Sequence, residues 1–185
     1  GAGGIEKSYV SVFEQITGYE VRRYGAGGTR IAKQHTPSFH ARHDLDFVLR
    51  AKDMEDDADL VVVFGGSNDF GHGDAEFGDK NDKTNDTFCG ALEVLYTLLR
   101  EKYPTAKIVV LTPLHRWGDG STCGQAREQD SKKPEGSHPL KDYVEAIKDA
   151  DVGYADTWVS KGQESEKAEK VKVFSDYQIN KELFS

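Results

Sequence analysis

The chain has 185 residues, 37% of them hydrophobic and 30% charged, with 32 Asp and Glu against 24 Lys and Arg and a formal net charge of −8. That length fits one domain, and the apolar fraction is enough to offset chain entropy, which excludes a disordered chain. The acidic balance argues against nucleic acid or an anionic membrane surface as partner, since both need a basic face, and no apolar run approaches bilayer-spanning length.

Two cysteines, Cys89 and Cys123, are too few for a disulfide scaffold or a four-thiolate zinc site. The expectation is a soluble, acidic, single domain over residues 1–185, with a cytoplasmic setting favoured. The chain opens on Gly1 and is read as lacking pieces at both ends.

Apolar periodicity predicts alternating elements. Glu6–Thr17 reads as a helix with Val10, Phe13 and Ile16 or Thr17 on one face. Tyr19–Tyr24 reads as a short strand ending at Gly25-Ala26-Gly27-Gly28, and Arg42–Met54 as a helix with Leu45, Val48 and Leu49 inward. Leu60–Phe64 is an unbroken apolar run of the kind buried on both faces of a parallel sheet. Thr84–Tyr103 places Phe88, Leu92, Leu95 and Leu99 at helical spacing and is closed by Pro104. Lys107–Thr112 follows as a strand, Arg116–Gly136 as a long polar loop, Leu140–Ile147 as a helix and Val152–Asp156 as a last short strand. Ser160–Ser185 is charged and weakly periodic. Strands alternating with helices predict a three-layer α/β/α, flavodoxin-like fold around a mostly parallel central sheet.

In such a sheet, ligands bind beyond the carboxyl ends of strands. The unusual residues cluster there: GAGGTR at Gly25–Arg30, GGSNDFGHGD at Gly65–Asp74 and TPLHRW at Thr112–Trp117. Gly65 and Gly66 let backbone approach a ligand, and Asn68 offers an uncharged amide donor suited to an oxygen that gains negative charge. Asp69 can anchor the turn through backbone N–H groups. The same residues also read as a glycine-rich turn whose Asn and Asp close an Asx-type loop.

Gly66-Ser67-Asn68-Asp69 resembles the GxND block of the SGNH (GDSL-type) hydrolases, and GAGGT at Gly25–Thr29 resembles their glycine block. The contexts VVVFGGSNDFGHGDAEFG and KIVVLTPLHR resemble the small esterases of that family. The resemblance implies serine-dependent hydrolysis of a small acyl or acetyl ester, on carbohydrate in some members, with no metal or organic cofactor. It implies an oxyanion hole from the Gly27 N–H and the Asn68 amide. Gly66, Asp69, His72 and His115 read as substrate-side residues at the same strand ends, His115 equally as a loop histidine satisfied by backbone. The family's GDS block is absent, and the nearest match to its Asp-x-x-His-Pro block is Glu135–Pro139, which makes His138 a candidate base. A chain without nucleophile and base would be nearly inactive. The alternative function is a non-catalytic ligand- or carbohydrate-binding module on the same fold.

Other groups have weaker chemistry. His35, His40 and His43, with Asp44, lack the spacing of a helical metal site, and no metal site is expected. Asp74–Asp86 departs from a calcium loop at Lys83 and Thr84. GAGGTR has Arg30 where a dinucleotide loop needs its third glycine. His72 with Asp74 reads as turn chemistry or as a substrate-side pair. Cys89 reads as a small buried hydrophobe, and Cys123 as a residue of the polar loop.

Overall fold

The computed structural model describes residues 8–114 and 138–149, and the backbone of 153–155. Within them three parallel strands stand side by side in chain order: β1 (Leu60–Phe64), β2 (Lys107–Leu111) and β3 (Gly153–Ala155). Val62 pairs with Val109, and Leu111 with both Phe64 and Ala155, so the carboxyl ends lie along one edge.

Among the described residues, five α-helices accompany the sheet: α1 (Tyr9–Thr17), α2 (Phe47–Lys52), α3 (Ser67–His72), α4 (Phe88–Lys102) and α5 (Leu140–Asp149). α4 joins β1 to β2, and α5 leads into β3, so α5 starts at the carboxyl edge of the sheet and runs back. The architecture is three-layer α/β/α, as the alternating pattern predicts.

Three helix starts have a local cause. Ser8 caps α1 by accepting the Ser11 N–H at 3.2 Å, and Asp46 caps α2 by accepting the Leu49 N–H at 2.7 Å. Thr87 caps α4 through the Gly90 N–H, which starts that helix after the expected Thr84. α1 ends at Gly18, whose left-handed φ of 72° forms the C-cap.

The core joins Val61, Val63 and Val110 of the sheet to Val48 and Ala51 of α2 and to Leu92, Leu95 and Leu99 of α4. Leu140, Tyr143 and Ile147 of α5 extend it, with Tyr143 edge-on to Phe70 at 5.8 Å between centroids.

Two expected elements differ. Tyr19–Tyr24 belongs to neither helix nor ladder, because no described strand lies beside it to pair with. The helix expected over Arg42–Met54 is split into a 3-10 turn at Ala41–Asp44 and α2, because Asp46 caps the second piece. The split also rotates the apolar face. Val48 and Ala51 are buried, whereas Leu45 and Leu49 are 43% and 45% exposed.

Candidate functional site

β1 leaves the sheet through Gly65 and Gly66. Gly66 has φ of 95°, and a side chain there would meet Pro113 at 3.1 Å and Ile147 at 3.2 Å. The turn therefore needs glycine on both conformational and spatial grounds. It delivers α3, which carries Asn68 and Asp69 toward the loop after Gly25.

These two side chains bind that loop. Asn68 Nδ2 donates to the Thr29 carbonyl at 2.8 Å. Asp69 accepts the Ile31 N–H at 3.0 and 3.1 Å and the Ala32 N–H at 2.9 Å. Burial pushes the Asp69 carboxyl up to about 6, against the opposing pull of the Ala32 and Ile31 amides and of nearby Arg30. Arg30 is itself buried, and its guanidinium donates to the carbonyls of His43 and His72 at 3.3 and 3.1 Å. Thr29 Oγ1 donates to the Ala26 carbonyl and accepts from Arg50 Nη2, each at 2.7 Å.

The structure thus brings the Gly25–Arg30 loop and Gly66–Asp69 to one edge. Gly27 lies in that loop, two residues before the carbonyl that engages Asn68. Its neighbour Gly28 is the constrained position: φ is 86°, and a Cβ would lie 2.8 Å from the His43 ring.

Asp74 faces backbone: it accepts the N–H groups of His35 and Thr36 at 2.9 and 2.7 Å. His72 ends α3, and its carbonyl is the one that Arg30 holds. His138 precedes α5 at the same sheet edge. Its Nδ1 lies 2.7 Å from Asp142 Oδ2, and its ring stacks on Phe77 with centroids 4.0 Å apart. His115, Cys123 and the expected long loop lie outside the described residues.

Among the described residues, no three His, Cys, Asp or Glu side chains gather as metal ligands. His35 Nε2 lies 2.9 Å from the Asp86 carbonyl, and Asp44 accepts the Ser38 N–H at 3.0 Å. Asp79 and Asp82 hold their own turn through Asn81 and Thr87. No described helix is long and apolar enough to cross a membrane.

Comparison with known proteins decides the family. The model for the Asp/Orn binding domain of aspartate/ornithine carbamoyltransferase matches residues 87–185. The chain belongs to the aspartate/ornithine carbamoyltransferase family. An ornithine carbamoyltransferase of Thermococcus kodakarensis is 46% identical over 79 residues, which are 42% of this chain and 25% of that protein. A catabolic ornithine carbamoyltransferase of Thermoplasma acidophilum is 59% identical over 44 residues, 24% of this chain and 14% of that protein. The chain therefore spans a quarter or less of the length of these relatives.

Solved structures agree on the fold. One has a TM-score of 0.68 at 24% identity, covering 97% of this chain and 80% of its own. A protein from Lactobacillus plantarum has a TM-score of 0.57 at 22% identity, covering 80% of this chain and 77% of its own.

Membership of the carbamoyltransferase family overturns the SGNH hydrolase resemblance, and with it the esterase activity and the ester substrate. The non-catalytic carbohydrate-binding alternative has no support in these matches either. The physical reason lies in the turn: after a parallel strand, a left-handed glycine followed by Asn and Asp ties one strand-end loop to another, whatever the reaction. Residues 1–86, which carry Gly27, Asn68 and Asp69, lie outside the matched stretch.

Sequence reasoning left Ser160–Ser185, inside the matched stretch, unassigned. The available signal was Asp156–Gln163, where an aspartate, a tryptophan, a serine and a glycine directly follow β3 in the sequence.

Proposed function

We propose that this chain supplies the acceptor side of a carbamoyl transfer, with ornithine favoured over aspartate as the acceptor. In that reaction the acceptor's amino group attacks the carbonyl carbon of carbamoyl phosphate. The new N–C bond forms, the C–O bond to phosphate breaks, the amine gives up a proton and inorganic phosphate leaves.

The observation that carries this reading is the match of residues 87–185 to an Asp/Orn binding domain. Ornithine is preferred because the relatives named above are ornithine carbamoyltransferases. The sheet supports it in outline, since parallel strands gather ligands at their carboxyl ends. At that edge, within the matched stretch, stand Thr112 after β2 and the His138–Asp142 pair at the start of α5. In the sequence Asp156 is the next residue after β3, and a carboxylate is the type of group an acceptor ammonium needs. On this reading Gly66, Asn68 and Asp69 hold the edge in shape rather than contact the reacting atoms.

Titration calorimetry with L-ornithine, L-aspartate and L-lysine tests the reading. L-ornithine is expected to bind most tightly, and Asp156→Asn to weaken it by ~10-fold or more, the scale of a lost charge-assisted contact. Failure of both L-ornithine and L-aspartate to bind a folded chain overturns the proposal.

A further inference from the structure

His138 stands just before α5, and its Nδ1 lies 2.7 Å from Asp142 Oδ2 in the first turn of that helix. One face of its ring stacks on Phe77, with centroids 4.0 Å apart and planes inclined by 19°. Phe77 in turn stacks on Phe88 at 5.9 Å, and Tyr143 stands edge-on to Phe77 at 5.0 Å. Phe88 opens α4 and is 1% exposed. The imidazole is therefore the outer member of a ring stack that reaches the core. An in-plane bond and a stacked face together fix its plane and its rotation within that plane.

That arrangement also sorts the two ring nitrogens. A carboxylate only accepts, so Nδ1 carries the proton shared with Asp142, and in the neutral ring Nε2 keeps its lone pair. The two side chains are 45% and 39% exposed, which leaves the pair within reach of a small solute. Two other histidines are occupied at this nitrogen: His35 Nε2 lies 2.9 Å from the Asp86 carbonyl, and His43 Nε2 lies 3.3 Å from Arg42 Nε. Stability does not account for the pair, because an exposed pair four residues apart at a helix start contributes little to folding.

Position makes this nitrogen relevant to chemistry. α4 and α5 both start at the carboxyl edge of the sheet, where β1 and β2 end. Phe70, in the helix that follows β1, lies 5.8 Å from Tyr143 and ties the turn after β1 to α5. His138 thus shares with Thr112 the edge where parallel strands gather ligands.

We infer that His138 Nε2 accepts the proton of the attacking amine during carbamoyl transfer, with Asp142 and Phe77 as its positioning residues. The inference rests on the acceptor-side reading above. When a free amine attacks the carbonyl carbon of carbamoyl phosphate, the new N–C bond leaves the nitrogen positively charged. Nε2 takes one N–H proton from that nitrogen. The carbonyl then re-forms, the C–O bond to phosphate breaks, and its electron pair leaves with the phosphate. Asp142 stabilises the imidazolium as it forms, and the imidazolium afterwards returns its proton to water.

The test measures L-ornithine-dependent release of phosphate from carbamoyl phosphate, with calorimetry of L-ornithine binding on the same samples. His138→Ala is expected to lower kcat by ~10²–10⁴. Its L-ornithine affinity is expected to stay within about 2-fold, since the interaction is made in the transition state. Added imidazole is expected to restore part of the rate. Asp142→Asn is expected to lower kcat by ~10-fold or more at unchanged affinity. If His138→Ala does not fold, His138→Gln keeps a planar group against Phe77 and carries the same expectation. Unchanged kcat in a folded His138 variant overturns the inference. So does a loss confined to affinity, or one that imidazole leaves unrestored. L-ornithine binding without turnover in the unaltered chain also overturns it, and leaves the acceptor-side reading standing. Failure of both L-ornithine and L-aspartate to bind overturns that reading, and this inference with it.

Discussion

Asn68 donates its side-chain amide to the Thr29 carbonyl across 39 residues of sequence, at 2.8 Å. The bond joins the turn after β1 to the glycine loop and fixes where two strand-end segments meet. An amide held in this way acts first as a structural tie. Asn68→Ala removes the donor and leaves a part-buried carbonyl without it, so the chain is expected to lose about 1–2 kcal/mol of stability. Urea unfolding measures this through a lower midpoint at unchanged slope. An unchanged midpoint would show that the tie contributes nothing.

Asp69 gives the same junction a pH dependence. Its folded value of about 6 lies above the ordinary carboxylate value of 3.8, because burial outweighs the amides that face it. Folding therefore takes up a proton at this group between those two values. Its contribution to stability is fully present below the lower value and falls as pH rises toward the upper one, then levels off. Carbon-13 NMR of the side-chain carboxyls is expected to show one Asp titrating near pH 6 and disappearing in Asp69→Asn. A midpoint in the usual Asp range would mean that water reaches the carboxyl and that burial is not the dominant effect.

Gly66 is a position where left-handed backbone and crowding coincide. Alanine there would have to adopt a φ of 95° and press its methyl against Pro113 and Ile147. Gly66→Ala is expected to cost about 1–3 kcal/mol, combining left-handed strain with crowding. Thermal unfolding reads the loss. Gly27→Ala is the control, since nothing lies within 4 Å of a Cβ there and no left-handed φ is required. Equal loss at both positions would contradict the crowding argument.

The parts of the fold legible in the residues are those where local chemistry and packing agree. Leu60–Phe64 is apolar throughout and lies in the sheet, and the spacing of Phe88, Leu92, Leu95 and Leu99 matches the buried face of α4. Tyr19–Tyr24 misleads because strand pairing depends on a neighbour, and no described strand stands beside it. Leu45 and Leu49 do not share a buried face because Asp46 starts a new helix between them and resets the rotation of that face. The candidate site is legible as a place: the glycine loop and the Asn68 turn do meet at one edge. Its chemistry is not, since Asn68 and Asp69 bind a loop here and a fold does not by itself imply a reaction. Family membership resides in the match over residues 87–185, away from the Gly27 and Asn68 blocks.

Cys89 provides a test of the packing between α4 and the loop before it. Burial pushes its thiol up to about 11, and Asp82 and Asp79 nearby reinforce the shift. Relative to an ordinary thiol at 9.0, a rise to about 11 leaves roughly 100-fold less thiolate at about pH 8. Because the thiolate is the nucleophile, disulfide exchange with an aromatic disulfide reagent is expected to slow by a similar factor. Cys123→Ser isolates the Cys89 reaction, and denaturant should restore the ordinary rate. Removing the two nearby charges separates the causes: Asp82→Asn with Asp79→Asn is expected to speed the reaction only slightly, because desolvation is the larger effect. A full return to the ordinary rate in that double variant would assign the shift to charge instead of burial.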